Sequence, residues 1–181
     1  MYWENKGAGN TDATIQAALE RADELNIENI VVASSTGQTA RKLIGCNRRV
    51  ICVTYHAGYK TPGSRSMNEE TLDELQQNDI RVLCTTHLLA GVDRAIRNKF
   101  GGVYPAEIMA QTLRILSQGV KVCVEISVMA LDAGLIPFGE EIVAIGGSAK
   151  GADTAAVITP AHSDHFFDSK VKEIICKPRH F

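Results

Sequence analysis

The chain has 181 residues, 45% hydrophobic and 22% charged, which is enough for one domain with a full core. Its 19 basic and 21 acidic side chains leave a net charge of −2, and no basic run is long enough to act as a nucleic-acid surface. Met1-Tyr2-Trp3-Glu4-Asn5 lacks the charged and apolar regions of a signal peptide. The longest mainly apolar stretch, 120–135, is interrupted by Lys121, Glu125 and Asp132, so no membrane span is expected either.

In chain order, residues 1–10 are an opening segment in which Tyr2 and Trp3 suggest a short strand. Asn10 or Thr11 then caps a helix with Ile15, Ala18, Leu19, Ala22 and Leu25 at helical spacing. Ile30 to Ala33 is an all-apolar run, as in a parallel strand covered on both faces. It enters Ser34-Ser35-Thr36-Gly37-Gln38-Thr39, and a helix is expected from Gly37 to Ile44. Val50 to Thr54 reads as the next strand, followed by the long polar stretch Tyr55 to Asn68. Loops of that length are often binding loops or lids, or else plain connectors. A helix from Asn68 to Asn78 and a strand from Ile80 to Cys84 come next.

From Thr85 to Leu135 the pattern is mostly helical. Leu88 to Ile96 suggests one helix, and Tyr104-Pro105 opens another with Ile108, Met109, Thr112, Leu113 and Leu116 on one face. Gly119 reads as a break, and Val120 to Leu131 as a buried helix. Glu141 to Gly146 and Ala155 to Ile158 are strands around the glycine-rich stretch 147–154, and Val171 to Cys176 suggests an edge strand. The five separated cysteines, with no Cys-x-x-Cys pair, are expected to be free, buried thiols of a cytoplasmic protein. Alternating β and α elements imply a three-layer α/β/α sandwich with a mostly parallel sheet, a single domain over 1–181.

In such sheets ligands gather at the carboxyl ends of the strands. Ser34 to Thr39 has the strand-turn-helix order of an anion site: unpaired helix amides, hydroxyl donors, and a Gly37 that lets backbone approach a phosphate. An ordinary helix cap has the same composition. There is neither a Walker A pattern nor a Gly-x-Gly-x-x-Gly fingerprint. Tyr55 and His56 follow a strand end and are candidates for ring contacts. His87 is a candidate pocket histidine. Cys84-x-x-His87 lacks a second half-site, and His162 with His165 fits a surface turn better than a divalent-ion site, so no metal is expected. Glu125, alone in an apolar run, either faces water, pairs with a cation or belongs to a site. Asn10 and Thr11 are further candidates if the first helix begins beside the 34–39 turn. No nucleophile–base pair is legible.

The blocks IVVASSTGQTARK (30–42), VICVT (50–54) and IVAIGGSAKGADTAA (142–156) resemble the C-terminal α/β domain of pyruvate kinase. The resemblance is specific in the first block and looser in the others. It departs from that domain by a helical insertion near 90–137 and by lacking the catalytic barrel, so it does not imply kinase activity. Stand-alone proteins similar to that domain look like binders of flavin mononucleotide (FMN), with no assigned reaction. The resemblance therefore implies a phosphorylated small molecule, with its phosphate on Ser34, Ser35, Thr36, Gly37, Gln38 and Thr39. Thr54, which closes the strand beside that turn, is a further ligand-binding candidate, and Gly147, Ser148 and Thr154 would lie near the ligand's other end. Three functions stay open: a binder of such a ligand, a flavin or phospho-metabolite enzyme using the same pocket, and a structural or oligomerisation module. Self-association is left open. On this reading a Gly37→Val exchange blocks ligand binding and spares the fold.

Overall fold

The computed structural model describes residues 1–181. The strands are β1 (Tyr2–Asn5), β2 (Asn29–Ala33), β3 (Arg49–Thr54), β4 (Arg81–Cys84), β5 (Ile142–Gly146), β6 (Thr154–Thr159) and β7 (Lys170–His180). The helices are α1 (Thr11–Glu24), α2 (Gln38–Arg41), α3 (Glu69–Gln77), α4 (Gly91–Phe100), α5 (Pro105–Arg114) and α6 (Gln118–Asp132). All seven strands join one sheet in the order β1-β7-β6-β5-β2-β3-β4. Pairing is parallel except on the two sides of β6.

The handedness of the crossovers explains the layers. The chain moves from β1 to β2, β3 and β4 in one direction across the sheet and then jumps back from β4 to β5. Right-handed connections put helices on one face for the first direction and on the other for the second. Accordingly α1, α2 and α3 pack with Ile30, Val32, Val50 and Val143 in one core. The buried helix α6 packs with Val31, Ile51, Ala144 and Ile158 in the other. Strand order reverses between β5 and β2, so the loops leaving these two strands flank the crevice at their carboxyl ends. The fold is thus the expected three-layer sandwich around a mostly parallel sheet.

Several local expectations need correction. The helix expected over 37–44 is α-helical only from Gln38 to Arg41. Beyond it, Leu43, Ile44 and Cys46 donate to residues three back, the tighter 3-10 pattern. The segment 88–96 starts its helix later, at Gly91, because the Leu89 amide donates instead to Glu125 and Ala90 closes a turn on His87. Of the face expected on α5, Met109 and Leu113 are half-buried, with Leu113 against the second core, whereas Ile108, Thr112 and, past the helix's end, Leu116 are exposed; Ala110 is the buried position. Val171 to Cys176 is not an edge: β7 is longer and lies between β6 and β1, covered by the chain's own amino terminus. All five cysteines are free, but Cys84 is exposed at the end of the true edge strand β4. No helix is long and apolar enough to cross a membrane.

Gly119 is also not a break. Ser117 caps α6, accepting from the Val120 amide at 3.1 Å, and Gly119 lies inside the first turn. A Cβ there would collide with the Thr154 side chain and stand 3.0 Å from Asp153 Oδ1. Its absence lets α6 reach the start of β6. Gly119→Ala is expected to lower unfolding free energy by about 1–3 kcal/mol from overpacking. It should do so despite the roughly 1 kcal/mol that alanine gains over glycine in a helix. Urea unfolding checks this; a raised midpoint would mean that Thr154 yields at no cost.

Candidate functional site

The 34–39 turn leaves β2 at the strand-order reversal, but its groups divide their work differently from the sequence expectation. Ser34 is buried, and its hydroxyl accepts from the Thr39 amide at 3.1 Å and the Ala40 amide at 3.4 Å. It therefore caps α2 from within. Thr54 is also buried and donates to the Ser35 carbonyl at 3.0 Å, which pins the turn to β3. Ser34 and Thr54 are positioning groups, not free donors. The amides of Ser35, Thr36 and Gly37 donate to no acceptor in the protein. The hydroxyls of Ser35, Thr36 and Thr39 make no hydrogen bond, and Gln38 is exposed. With four residues, α2 has too few aligned peptides for a substantial dipole. Anion affinity here has to come from the turn's own amides.

Gly37 has a different role from the expected one. Its φ is +86°, and a Cβ would collide with Thr71 Cγ2 of α3 and stand 3.4 Å from Leu75. The glycine is needed because α3 packs against the turn, so the expectation that Gly37→Val spares the fold is corrected. Arg41 and Lys42 are engaged as well, by Glu74 of α3 and Asp12 of α1.

The second loop, Gly147–Asp153, connects β5 to β6 around a residue that the sequence reading overlooked. Asp153 is fully buried and accepts from the Gly7 amide at 3.0 Å, the Ser148 amide at 3.1 Å and the Thr154 hydroxyl at 2.8 Å. Thr154 is thus wholly buried and turned to Asp153, which corrects its placement at the ligand's far end. Thr11 joins this loop and not the 34–39 turn: its hydroxyl donates to Ala8 at 2.7 Å and accepts from the Ala152 amide at 3.0 Å. Asn10 donates to the Asn5 carbonyl at 2.8 Å, away from both loops. Ser148 keeps a buried hydroxyl with no partner. It lines an open cavity of about 620 Å³ with Lys6, Arg114, Gln118, Ala149 and Phe181. Gly147, by contrast, has backbone of Gly151 and Ala152 directly against it.

The third group lies at the ends of β3 and β4. Tyr55 stacks on Tyr59 with centroids 4.0 Å apart, and His87 meets the Tyr55 ring edge-on at 5.1 Å. His56 meets Tyr59 at 5.5 Å and leaves Nδ1 buried without a partner. Arg94 lies 5.9 Å from the Tyr59 centroid. Glu125 is buried; it pairs with Lys121 one turn earlier on α6 and accepts from the Leu89 amide at 2.8 Å. Of the three expectations for Glu125, the cation pairing is the one seen, and through Leu89 the pair is tied to the loop that carries His87.

Burial sets the charge states here. It pushes the Tyr55 phenol up, with Tyr59 and Glu125 adding to the rise. It pushes His87 below its ordinary 6.5, against the pull of Glu125 and with help from Lys121, His56 and Arg94. Lys121 is also lowered by burial, partly offset by Glu125. His162 and His165 form separate surface pairs with Asp132 and Asp164. The sequence reading missed Tyr59, Arg94, Lys121 and Asp153. Tyr59 and Asp153 stood inside loops already flagged. Nothing local distinguishes the two cations from ordinary helix-surface residues.

Against known proteins, the family described as "Pyruvate kinase, alpha/beta domain" matches residues 12–158. Among solved structures, a pyruvate kinase from Cryptosporidium parvum is similar at 16% identity and TM-score 0.43, covering 86% of this chain and 24% of that one. A pyruvate kinase of the same organism in complex with ADP is similar at 17% identity and TM-score 0.41, covering 84% and 24%. The chain spans about a quarter of the length of these enzymes.

Two outcomes are expected. Gly37→Val should destabilise the fold by at least 1–3 kcal/mol, through strain at positive φ and overpacking on α3. Thermal unfolding checks this, and an unchanged midpoint would overturn the packing role. For His87 the folded pKa lies below the unfolded 6.5. Its stabilisation is therefore complete above pH 6.5 and declines as pH falls through and below that value. His87→Asn should flatten this acidic decline in urea unfolding. An unaltered profile between roughly pH 5 and 7 would contradict the assignment.

Proposed function

This chain belongs to the pyruvate kinase α/β-domain family, and we propose that it holds a phosphate-bearing small molecule at the turn between β2 and α2. One observation carries the reading: the consecutive amides of Ser35, Thr36 and Gly37 donate to nothing in the protein. Successive unpaired N–H groups in a turn make a concave, positively polarised nest suited to an anion. Ser35 is half-buried, Thr36 exposed and Gly37 buried, so the row of amides is sheltered at its two ends and open at its centre. The hydroxyls of Ser35, Thr36 and Thr39 add donors.

FMN is the first ligand to test. When bound, a flavin supplies hydride and single-electron transfer. The nest suits its phosphate. The ring end is less prepared, because Tyr59 covers a face of Tyr55. A flavin stacking on that face displaces Tyr59, which belongs to the long 55–68 loop.

A second reading, an enzyme using the same pocket, is favoured by His87. Burial holds this histidine neutral beside the Lys121–Glu125 pair, a state suited to accepting a proton. Pyruvate kinase activity itself is not proposed.

The discriminating test compares FMN with riboflavin by titration calorimetry on the purified chain. FMN should bind at least 10-fold more tightly, about 1.4 kcal/mol. Thr36→Glu, at an exposed position, should remove most of that difference by placing a carboxylate at the nest. Equal affinity for the two flavins, or a Thr36→Glu chain that keeps the phosphate preference, would defeat the proposal. Visible absorbance on purification and the mass of the released chromophore would identify a copurified ligand.

A further inference from the structure

A cavity of about 210 Å³ lies among α4, α5 and α6, in the stretch between β4 and β5. Its wall carries the cations Arg94, Arg97, Arg114 and Lys121 and the carboxylates Asp93 and Glu107. Both carboxylates are occupied: Asp93 accepts from the Ala106 amide at 3.1 Å, and Glu107 pairs with Arg97 at 2.5 Å. Arg94 forms no ion pair, and its guanidinium lies 5.9 Å from the centroid of the Tyr59 ring. Arg114 donates to the neutral Gln118 amide at 2.6 Å and likewise has no carboxylate. Lys121 is buried, and its one counter-charge, Glu125, also accepts from Leu89.

Beyond the Arg97–Glu107 pair, two guanidiniums and a buried ammonium thus stand against two carboxylates, Asp93 on the wall and Glu125 behind Lys121, which leaves the space with an excess of positive charge. Like charges brought together are unfavourable unless an anion joins them. Guanidiniums match the paired oxygens of phosphate and carboxylate groups. The volume is below the range of drug-sized pockets, so it fits a small anion and not a nucleotide.

We infer that this cavity is a binding site for a small dianion, a phosphate or a compact dicarboxylate, held by Arg94, Arg114 and Lys121. The site is separate from the 34–39 nest and does not depend on it. Its wall is built from side-chain charge, where the nest is built from backbone amides. Arg94 joins it to the Tyr59–Tyr55–His87 cluster, so a dianion here sits beside the groups proposed to meet a ligand ring.

The test uses the full chain carrying Thr36→Glu, so that the nest is blocked and its failure is scored separately. Inorganic phosphate and malonate are titrated by calorimetry into this chain, and into the same chain with Arg94→Gln or Arg114→Gln added. At least one probe should bind, and each arginine exchange should weaken it 10-fold or more. Arg94 is exposed, so Arg94→Gln should leave thermal unfolding unchanged and its loss of binding cannot be ascribed to misfolding. Absence of binding by both probes, or binding that survives Arg94→Gln, would overturn the inference. Competition of bound phosphate by malonate would show that the two anions share one cavity.

Discussion

The arrangement at the carboxyl edge of the sheet depends on the buried carboxylate of Asp153. No cation pairs with it; three hydrogen bonds disperse its charge. A buried ionised group without such donors is strongly unfavourable. The folded chain must therefore bring the Gly7 amide, the Ser148 amide and the Thr154 hydroxyl to one point. Those donors come from the amino-terminal segment, the β5–β6 loop and the start of β6. By holding Thr154 inward, Asp153 also defines the surface against which the Gly119 turn of α6 packs. Its field, after burial itself, helps raise the thiols of Cys123 and Cys176, which keeps them protonated.

Glu125 does comparable work for the other half of the edge. It binds Lys121 on its own helix and the Leu89 amide from the loop after β4. The loop bearing His87 is thereby tied to the helix that fills the second core. Two carboxylates, each at one side of α6, thus fasten the loops that the strands deliver. The edge divides accordingly. Around β2 and β5 are the amide nest and Ser148; around β3 and β4 are the aromatic cluster and the cationic cavity.

The strands and the layer order were legible because all-apolar runs at β2, β3 and β5 can only be covered on both faces, and α6 is apolar nearly all round. The family resemblance was legible in the 30–42 block for the same reason of local order. What was not legible depended on non-local partners. Ser34 and Thr54 look like ligand donors in sequence, yet one caps α2 and the other fastens the turn to β3. Gly37 looks like a phosphate glycine, yet α3, more than thirty residues later, is what demands it. β7 looks like an edge because its cover, β1, lies at the opposite end of the chain. Asp153 reads as one more polar loop residue until its three donors are assembled around it.

This pattern puts the groups suited to an anion in the backbone at one end of the edge and in side chains at the other. In the 34–39 turn the conspicuous hydroxyls of Ser34 and of neighbouring Thr54 are consumed in holding shape, and what they hold open is a row of amides. Amides carry no net charge, so their attraction for an anion is short-ranged and directional. The α4–α6 cavity is the reverse case: its shape is loosely determined by helix packing, but its guanidiniums attract from farther away and are screened by salt. The first kind of contact is set by geometry, the second by charge. The aromatic residues at the ends of β3 and β4 are stacked on one another and meet the cavity through Arg94, so the two halves of the edge differ in their side chains as well as in their source of positive potential.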